Sequence, residues 1–250
     1  MTHISQNLAT EPTSLRLAGQ VQRPASLTDA QRERLYRLLA AYFHNVTQAQ
    51  FEADLAEKEW VVTLADSLTG QVQGFSTLKQ LHETVDGQPV TAFFSGDTII
   101  HRDYWGDTEL PRLWGAHVFS LAETMPETRA FWFLISSGYK TYRFLPVFFR
   151  HFYPTFRSPT PPGIKHILDA LGSRKFPGEY DPATGLIRFA RPSPLRAGVA
   201  EITPERLKNP HIAFFAAANP GYGKGDQLAC LVELTRANLT PAGRRILGMK

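Results

Sequence analysis

Two acid–base side chains, Asp97 and His101, stand four positions apart near the end of an apolar run that is predicted to be a strand, Val90–His101. Alternate side chains of a strand share a face, so Asp97 and His101 are expected on one face. Ser95 is expected on that face and Thr98 on the opposite one. A carboxylate or an imidazole held there could deprotonate an amine or a hydroxyl group. The alternatives are a structural carboxylate for Asp97 and a half-exposed surface histidine for His101.

A turn follows this strand, and a second strand-to-helix unit follows the turn. The turn is expected at Tyr104–Asp107, and Thr108 can cap the helix after it. The second strand, Ala130–Ile135, leads into Ser136 and Ser137. Two strands that each run into a helix place their carboxyl ends beside helix N-termini, which favours a ligand with carbonyl or phosphate groups. Ser136 and Ser137 could hydrogen-bond such a ligand; alternatively they are simple helix caps.

The rest of the periodicity predicts more helices and short strands. Helices are expected at Ala30–Tyr42, Thr47–Glu57 and Ile164–Leu171. Strands are expected at Trp60–Ala65, Val72–Leu81 and Leu186–Ala190, with a hairpin turn at Asp86-Gly87 and a closing hairpin of His211–Ala217 and Leu228–Leu234. Residues 1–26 are expected to form a flexible arm and residues 27–250 a single domain, with an irregular elaboration at about 154–210.

Composition narrows the classes of function. The chain has 250 residues, and 43% of them are apolar, which excludes disorder for most of its length. Its net charge is +4, from 27 basic and 23 acidic residues, and no long basic run is present. Nucleic-acid binding normally needs a concentrated basic face, so it is not predicted.

The number of cysteines, the spacing of the histidines and the hydropathy of the chain exclude further classes of site and of protein. A single cysteine, Cys230, excludes an internal disulfide and a cysteine-based zinc site. The eight histidines show no metal-ligand spacing, so no metal is predicted. No stretch approaches the length of a membrane span, and the first residues lack the basic start and apolar core of a signal peptide. The expectation is a cytoplasmic protein.

Large rings are concentrated in an aromatic helix expected near Tyr139–Tyr153, which Pro146 should kink or end early. One interpretation is a core-facing helix with a basic outer side. The other is an apolar tunnel or interfacial patch for a long acyl chain or lipid, which the number of rings favours. The glycine-rich loop Asn219–Gly225 contains Lys224 and could cradle a phosphate, although a flexible hairpin loop is the alternative.

The order helix, helix, three antiparallel strands, helix, strand, helix and final hairpin is similar to that of the GNAT acyltransferase superfamily, over about residues 28–154 and the closing hairpin. The segment IIHRDYWG, which ends at Gly106, resembles the family's strand end and pyrophosphate-binding turn. Trp105 stands where the family has Arg or Gln, and Gly106 is the one family glycine present. The resemblance implies an α+β, GNAT-like fold, whose central mixed, mostly antiparallel sheet is flanked by helices. It also implies a bulge in the strand of Asp97, which would alter its parity.

The resemblance further implies an acyltransferase that moves an acyl group from a thioester to an amine or hydroxyl acceptor. Asp97 or His101 would be the base, and Tyr142 or Tyr139 the acid for the departing thiolate, with Tyr142 preferred. Packing of the tyrosine ring in the core is the alternative. Backbone N–H groups at 99–101 would hold the oxyanion and the pantetheine. The residues assigned to donor binding are Ile99, Ile100, Trp105, Gly106, Asp107, Thr108, Ser136 and Ser137.

The turn departs from the family in its charge. Asp107 and Glu109 place carboxylates where backbone N–H groups would face a pyrophosphate, so they would repel it while stabilising their own helix. An acyl group delivered on a carrier protein, as in the acyl-homoserine-lactone and N-acyl amino acid synthases that the chain resembles, or a phosphate site elsewhere, becomes the expectation. The predicted co-substrate is acyl-CoA or a phosphopantetheine-linked acyl group, with no tightly bound cofactor. The predicted partners are a small-molecule acyl acceptor, an acyl-carrier protein and a peripheral membrane contact.

Two other functions fit the same residues. One is a non-catalytic acyl- or CoA-binding or regulatory module of the same fold. The other is a synthase that uses S-adenosylmethionine and releases methylthioadenosine. The catalytic expectation requires the strands Val90–His101 and Ala130–Ile135 to part in the middle of the sheet and open a slot for a thioester.

Overall fold

The computed structural model describes residues 16–249. Its strands are β1 (Leu17–Gln22), β2 (Trp60–Asp66), β3 (Val72–Val85), β4 (Gln88–Ile100), β5 (Arg129–Ser136), β6 (Tyr180–Asp181), β7 (Leu186–Ile187) and β8 (Gln227–Glu233). Its α-helices are α1 (Asp29–Tyr42), α2 (Gln48–Ala56), α3 (Glu109–Glu123), α4 (Tyr139–Tyr142), α5 (Phe144–Phe148), α6 (Pro162–Lys175), α7 (Pro204–Leu207), α8 (Pro210–Ala218) and α9 (Pro241–Ile246). Short 3-10 turns lie at Pro24–Ser26, Arg102–Tyr104, Tyr222–Lys224 and Arg236–Asn238.

These strands form one sheet in the order β1-β2-β3-β4-β5-β8-β7-β6. β4 and β5 run parallel, and every other neighbouring pair is antiparallel. A parallel pair needs a crossover connection, which α3 supplies between β4 and β5. The fold is therefore α+β, with a mixed, mostly antiparallel sheet flanked by helices, and this part of the prediction is confirmed.

Helices cover both faces of the sheet, and the alternation of β5 shows which helix packs where. Trp132 and Leu134 belong to a core with α3, α4 and α8, whereas Phe131 and Phe133 pack against α6. α1 and α2 share a third core with β3 and the end of β4 on the same side as α6. We call the two sides the α3 face and the α1 face.

Local sequence signals explain several of these elements. Thr28 caps α1 in a capping box with Gln31, in which each side chain accepts a hydrogen bond from the other residue's backbone N–H. The turn between β3 and β4 has φ of 50° at Asp86 and 74° at Gly87. Positive φ at both positions suits the tight right-handed twist of a two-residue hairpin. The hairpin predicted at Asp86-Gly87 is therefore confirmed.

The prediction of an irregular N-terminal arm is wrong for residues 17–22. β1 lies inside the stretch 1–26 that was expected to be irregular, and it pairs antiparallel with β2 along its full length, from Leu17 opposite Asp66 to Gln22 opposite Val61. β1 reads LAGQVQ, which is too short and too polar to stand out as a strand by itself. Pro24–Ser26 of the expected arm forms a 3-10 turn, and residues 1–15 lie outside the described residues.

The closing hairpin also needs a correction. The stretch His211–Ala217 was expected to be a strand, but it lies within α8. The Asn209 side chain accepts hydrogen bonds from two backbone N–H groups at the start of this helix, and Pro210 occupies its first turn. Asparagine followed by proline is a helix start signal, and it outweighs the apolar composition that favoured a strand. The second half of the expected hairpin is β8, which pairs with β5 and β7 instead.

The aromatic helix is shorter than its expected range, whereas the elaboration is more regular than expected. The helix predicted near Tyr139–Tyr153 is divided into α4 and α5 and ends at Phe148, soon after Pro146, as expected of proline. The elaboration at 154–210 contains α6, which has 14 residues, and it also supplies β6 and β7 to the edge of the sheet. It is therefore part of the main fold.

Candidate active site

β4 and β5 part in the middle of the sheet. They pair from Val90 opposite Arg129 as far as Ser95 opposite Leu134, and no pairing follows, although β4 runs on to Ile100. β5 stays paired with β8 to its last residue, and β4 stays paired with β3. The parting therefore opens a cleft between β4 and β5 at their carboxyl ends, as the catalytic expectation requires.

A bulge in β4 lies where the cleft begins. Ser76 pairs with Thr98 and Leu78 pairs with Ser95, so two residues of β4 oppose the single residue Thr77 of β3. A bulge of this kind bends the strand and inverts its alternation beyond that point. Ser95 and Thr98, expected on opposite faces, thus lie on the same α3 face, and this expectation is corrected.

Hydroxyl groups cluster on the α3 face of the bulge. The Ser76 and Thr98 hydroxyl oxygens are 2.8 Å apart and share a hydrogen bond. The Ser95 hydroxyl accepts a 2.8 Å hydrogen bond from Trp132 Nε1. Because Ser95 acts there as acceptor, its own proton is available to a further oxygen.

A pocket begins at these hydroxyls and continues between α3, α5 and α9. It occupies about 620 Å³, counting the space open to solvent. Trp114, in α3, contributes an indole N–H that is buried without a partner among the described residues. Other pocket-lining residues include Gly115, Phe119, Leu134, Phe144, Phe148, Phe149 and Ile246. The pocket is thus polar at the cleft and apolar beyond it.

Asp97 points to the α1 face, on the other side of the cleft. Its half-buried carboxylate accepts no hydrogen bond from any residue that the structure describes, and removal from water raises its pKa to about 6. The nearby ammonium of Lys58 opposes this rise, and the carboxylate of Asp54 adds to it. Lys58 itself is buried and donates to the Asp54 carbonyl and to Glu57 Oε1. A carboxylate with this pKa is ionised at neutral pH and is basic enough to accept a proton.

His101 is not brought to Asp97. Four residues of strand separate them, which corresponds to about 13 Å. The His101 ring instead lies 3.5 Å from the Asp103 carboxylate, and its Nδ1 accepts from the Asp103 N–H at the start of the 3-10 turn. This position fits the alternative of a partly exposed histidine that caps the turn.

Tyr139 and Tyr142 are both buried in the core on the α3 face, and neither lines the pocket. The Tyr142 hydroxyl donates a 2.9 Å hydrogen bond to the Pro154 carbonyl, and its ring packs near Phe215. Burial raises the pKa of Tyr142 well above its ordinary value. These contacts favour the packing alternative over a role as proton donor.

The turn after β4 is held by the side chain of Asp107 at the start of α3. Gly106 has φ of +107°, a conformation that favours glycine. The Asp107 carboxylate accepts the N–H of Glu109 at 2.7 Å and that of Leu17 at 3.2 Å. It is therefore Asp107 that occupies the start of α3, and the expected cap, Thr108, makes no side-chain hydrogen bond there.

The backbone at the end of β4 offers fewer donors to the cleft than expected. The His101 N–H donates to the Gln73 carbonyl of β3 at 2.7 Å and is not free. By the alternation of strand hydrogen bonds, Ile99 also faces β3, whereas the Ile100 N–H and carbonyl face the side that β5 has left. The Ile100 carbonyl accepts a 2.9 Å hydrogen bond from Trp105 Nε1, which leaves the Ile100 N–H for a ligand.

The serines at the end of β5 do not cap α4, whose cap residue is Gly138. The Ser136 hydroxyl is fully buried and has no partner among residues 16–249. Ser137 is half-buried beside it. The capping interpretation is therefore wrong for both, and their assignment to donor binding stays a prediction.

A cation–π contact crosses the mouth of the cleft. Lys140 Nζ lies 3.1 Å from the centroid of the exposed Trp105 ring. Trp105 belongs to the turn after β4, and Lys140 to the helix after β5. The contact therefore joins the two strand ends that flank the cleft.

No protein-family model matches this sequence, and no curated protein matches it significantly. Solved structures do resemble the chain. The GNAT family N-acetyltransferase YhbS from Escherichia coli, in complex with CoA, is 19% identical with a TM-score of 0.39, and the match covers 54% of this chain and 70% of that one. A probable N-acyltransferase of unknown function from Enterococcus faecalis is 10% identical with a TM-score of 0.42, over 87% of this chain and 66% of that one. NAA60 from Arabidopsis thaliana, in complex with a bisubstrate analogue, is 13% identical with a TM-score of 0.39. The match covers 56% of this chain and 91% of that one.

The solved structures that resemble this chain are thus GNAT N-acetyltransferases in large part. The cleft, the bulge and the Asp97 carboxylate are properties of this chain itself.

Sequence reasoning missed several residues that the fold brings to the cleft. Ser76 and Trp132 lie on neighbouring strands, and Lys58 follows α2. Thr98 was placed on the wrong face because the position of a bulge depends on pairing with β3. A signal was nevertheless present for Lys58, since it lies two residues before the strand Trp60–Asp66 and so leads into the sheet.

Other chemical centres are absent from the part of the chain that the structure describes. In residues 16–249, no group of three or more metal-ligating side chains is found. Over the same range, no helix combines the length and apolar character needed to cross a membrane. Cys230 is buried in the core, and burial raises the pKa of its thiol, which disfavours a nucleophilic role.

Proposed function

We propose that this chain is an acyltransferase that moves an acyl group from a phosphopantetheine thioester, on CoA or on a carrier protein, to an amine or hydroxyl acceptor. The observation that carries the proposal is the arrangement around the β4–β5 cleft. An apolar pocket with hydroxyls at its mouth lies on the α3 face, and a carboxylate of raised pKa, Asp97, lies on the α1 face. No backbone hydrogen bonds close the cleft between them, so a thioester carbonyl in the cleft is accessible from both sides.

The apolar pocket is suited to the acyl chain. Beyond the hydroxyls its walls are mostly aromatic and aliphatic, which is typical of sites that bind apolar groups. A long aliphatic or lipid-like chain would gain from burial there, about 0.8 kcal/mol for each methylene group. The polar mouth keeps the carbonyl end at the cleft.

The chemical step needs one base. The acceptor nitrogen or oxygen attacks the carbonyl carbon while Asp97 takes its proton, and a bond to the acceptor forms. The tetrahedral oxyanion then collapses, the carbon–sulfur bond breaks, and the thiolate leaves. Because an ordinary thiol has a pKa near 8.5, the thiolate can leave as an anion and take a proton from water. Tyr142 is therefore not required as an acid.

The hydroxyls at the pocket mouth supply donors for the carbonyl oxygen. Ser95 is fixed by its bond from Trp132, and its own proton is available. Thr98 is paired with Ser76, and either of these two hydroxyls can be the donor of their shared bond. Preorganised donors of this kind stabilise the charge that develops on the oxygen. The Ile100 N–H, further along β4, would hold an amide of the pantetheine arm.

Release of free thiol tests the proposal. Purified protein is mixed with acyl-CoA or acyl-carrier protein of several chain lengths and a panel of amine and hydroxyl acceptors, and thiol and acylated product are measured together. Equal amounts of thiol and product support transfer. Donor binding without thiol release across the panel would contradict it and support the non-catalytic module. Formation of methylthioadenosine in the presence of S-adenosylmethionine would identify the third function instead.

A further inference from the structure

Two cations at the mouth of the cleft have no carboxylate partner. Lys140, at the start of α4, and Arg206, in α7, form no ion pair with an acidic residue of the described chain. The Arg206 guanidinium lies 5.3 Å from the ring of Tyr139, the residue next to Lys140, and it donates to the Glu201 carbonyl. The two positive charges are thus neighbours at the carboxyl end of β5.

The positive charge of Lys140 is destabilised by its surroundings. Lys140 is half-buried, and its pKa falls to about 8 because it is removed from water and lies near the charge of Arg206. The Trp105 ring offsets part of this cost by a cation–π contact. An anion placed between Lys140 and Arg206 would offset more, because it would neutralise both charges at once.

A helix N-terminus is a common binding place for a phosphate, but the start of α3 is already occupied by a carboxylate of this chain. The Asp107 carboxylate already accepts the N–H of Glu109 at the start of α3. Glu109 adds a second negative charge there, which is paired with Arg112. A phosphate would be repelled at this helix start, so a phosphorylated ligand that enters the cleft must be bound by other groups.

We propose that Lys140 and Arg206 bind the phosphate of the phosphopantetheine arm at the mouth of the cleft. This inference rests on the proposed function, because it assigns one end of the same donor. Lys140 leaves the Trp105 ring for the phosphate oxygens, and Arg206 contacts the phosphate from the side of α7. The shared chemistry is a phosphate ester on pantetheine, which either CoA or a carrier protein can present.

Calorimetry with pantetheine and 4′-phosphopantetheine, which differ only in the phosphate, tests the site. The wild-type protein is expected to bind the phosphorylated compound roughly tenfold or more tightly, as for a charge-assisted hydrogen bond. Lys140→Met and Arg206→Met should each reduce this ratio towards one and leave the affinity for pantetheine unchanged. Lys140→Arg should keep most of the ratio, since it keeps the charge.

Lys224→Met is the matched control, because Lys224 is an exposed lysine in the other loop that could cradle a phosphate. It should behave as the wild type. If Lys224→Met loses the preference for phosphate while Lys140→Met and Arg206→Met retain it, the loop Asn219–Gly225 is the site and the proposal is overturned. Equal binding of the two compounds by the wild type would also overturn it.

The same measurement separates this site from the chemistry. Binding of 4′-phosphopantetheine does not depend on turnover, so the site can be established even if no thiol is released with any donor. Conversely, thiol release with an unchanged phosphate preference in both cation variants would support the proposed function and contradict the site. Repeating the titrations with CoA and with a carrier protein distinguishes the two sources of the phosphate.

Discussion

Ser95 and Thr98 lie on the same face of β4 and line the same pocket, although three positions separate them in sequence. In a regular strand they would face opposite ways. The extra residue opposite Thr77 turns Thr98 to the α3 face and leaves Asp97 on the α1 face. The bulge therefore separates the hydroxyls that would hold an acyl carbonyl from the carboxylate that would activate an acceptor.

Replacement of Asp97 by asparagine tests the base directly. Loss of a general base costs about 10²- to 10⁴-fold in rate, so kcat of Asp97→Asn should fall by that factor with little change in donor affinity. The wild-type rate should rise with pH through about 6, because the base acts only when it is ionised. This limb should be missing from the residual activity of the variant.

A matched control is Asp103→Asn, which removes an exposed carboxylate from the turn after β4. Its rate is expected to stay within about twofold of the wild type, as for a surface change. Wild-type turnover by Asp97→Asn would reassign that carboxylate to a structural role.

Lys58 should affect the pH at which the rate of acyl transfer rises. Its positive charge favours the ionised form of Asp97 and so lowers the pKa of that carboxyl group. Lys58→Met keeps the length of the side chain and removes the charge, so the rising limb should move to higher pH. Asp54→Asn should move it to lower pH, because Asp54 raises the pKa of Asp97. A pH–rate profile that is the same in both variants and the wild type would exclude Asp97 as the group that titrates.

Asp97 should also make folding less stable at neutral pH. Its pKa rises on folding from 3.8 to about 6, so the ionised form is disfavoured in the folded chain and stability falls as pH rises from about 4 to above 6. Asp97→Asn removes this penalty. Its free energy of unfolding should exceed that of the wild type by about 1–3 kcal/mol at pH 8 and should match it below pH 4. Urea denaturation at both pH values measures the difference, and a variant less stable than the wild type at pH 8 would contradict the placement of Asp97.

Tyr142→Phe separates packing from catalysis. The change removes a hydroxyl whose hydrogen bond goes to the Pro154 carbonyl, so it should cost about 1 kcal/mol of stability. The rate of acyl transfer should stay within about twofold, because the leaving thiolate needs no acid. Thermal unfolding and a kinetic assay on the same sample check both expectations. A rate loss of about 100-fold would restore Tyr142 as the proton donor.

Much of the fold could be predicted because its signals are local. Short runs rich in apolar residues located β2 to β5 and β8, the pair Asp86-Gly87 marked a hairpin, and Thr28 marked the start of α1. β1 was missed because its six residues become a strand only through pairing with β2.

The candidate site was only partly predictable. Asp97 was found because a carboxylate in an apolar strand is costly unless it has a role or a partner. The pocket and the contact of Lys140 with Trp105 were not, since they join residues from separate elements. Four strand positions place the side chains of Asp97 and His101 about 13 Å apart rather than in contact, and this distance could have been predicted from their spacing alone.

The pocket makes a prediction about acyl-chain length. Ile246 lies on α9, is half-buried and lines the pocket, so Ile246→Trp should fill part of its apolar end without displacing the core. Each methylene group that the pocket buries contributes about 0.8 kcal/mol, or roughly fourfold in affinity. Wild-type affinity should therefore rise about fourfold with each added methylene until the pocket is full, and in Ile246→Trp the rise should stop at a shorter chain. Donors with an acetyl group should be unaffected.

Val147→Trp provides the comparison for that experiment. Val147 is adjacent to Phe148 in α5 but is 39% exposed, so a larger ring there should remain outside the pocket. A titration of saturated acyl donors of increasing length against the three proteins should show the shortened limit only in Ile246→Trp. If the dependence on chain length is the same in all three, the acyl chain lies elsewhere, and the apolar space between α3, α5 and α9 is a packing feature of the core.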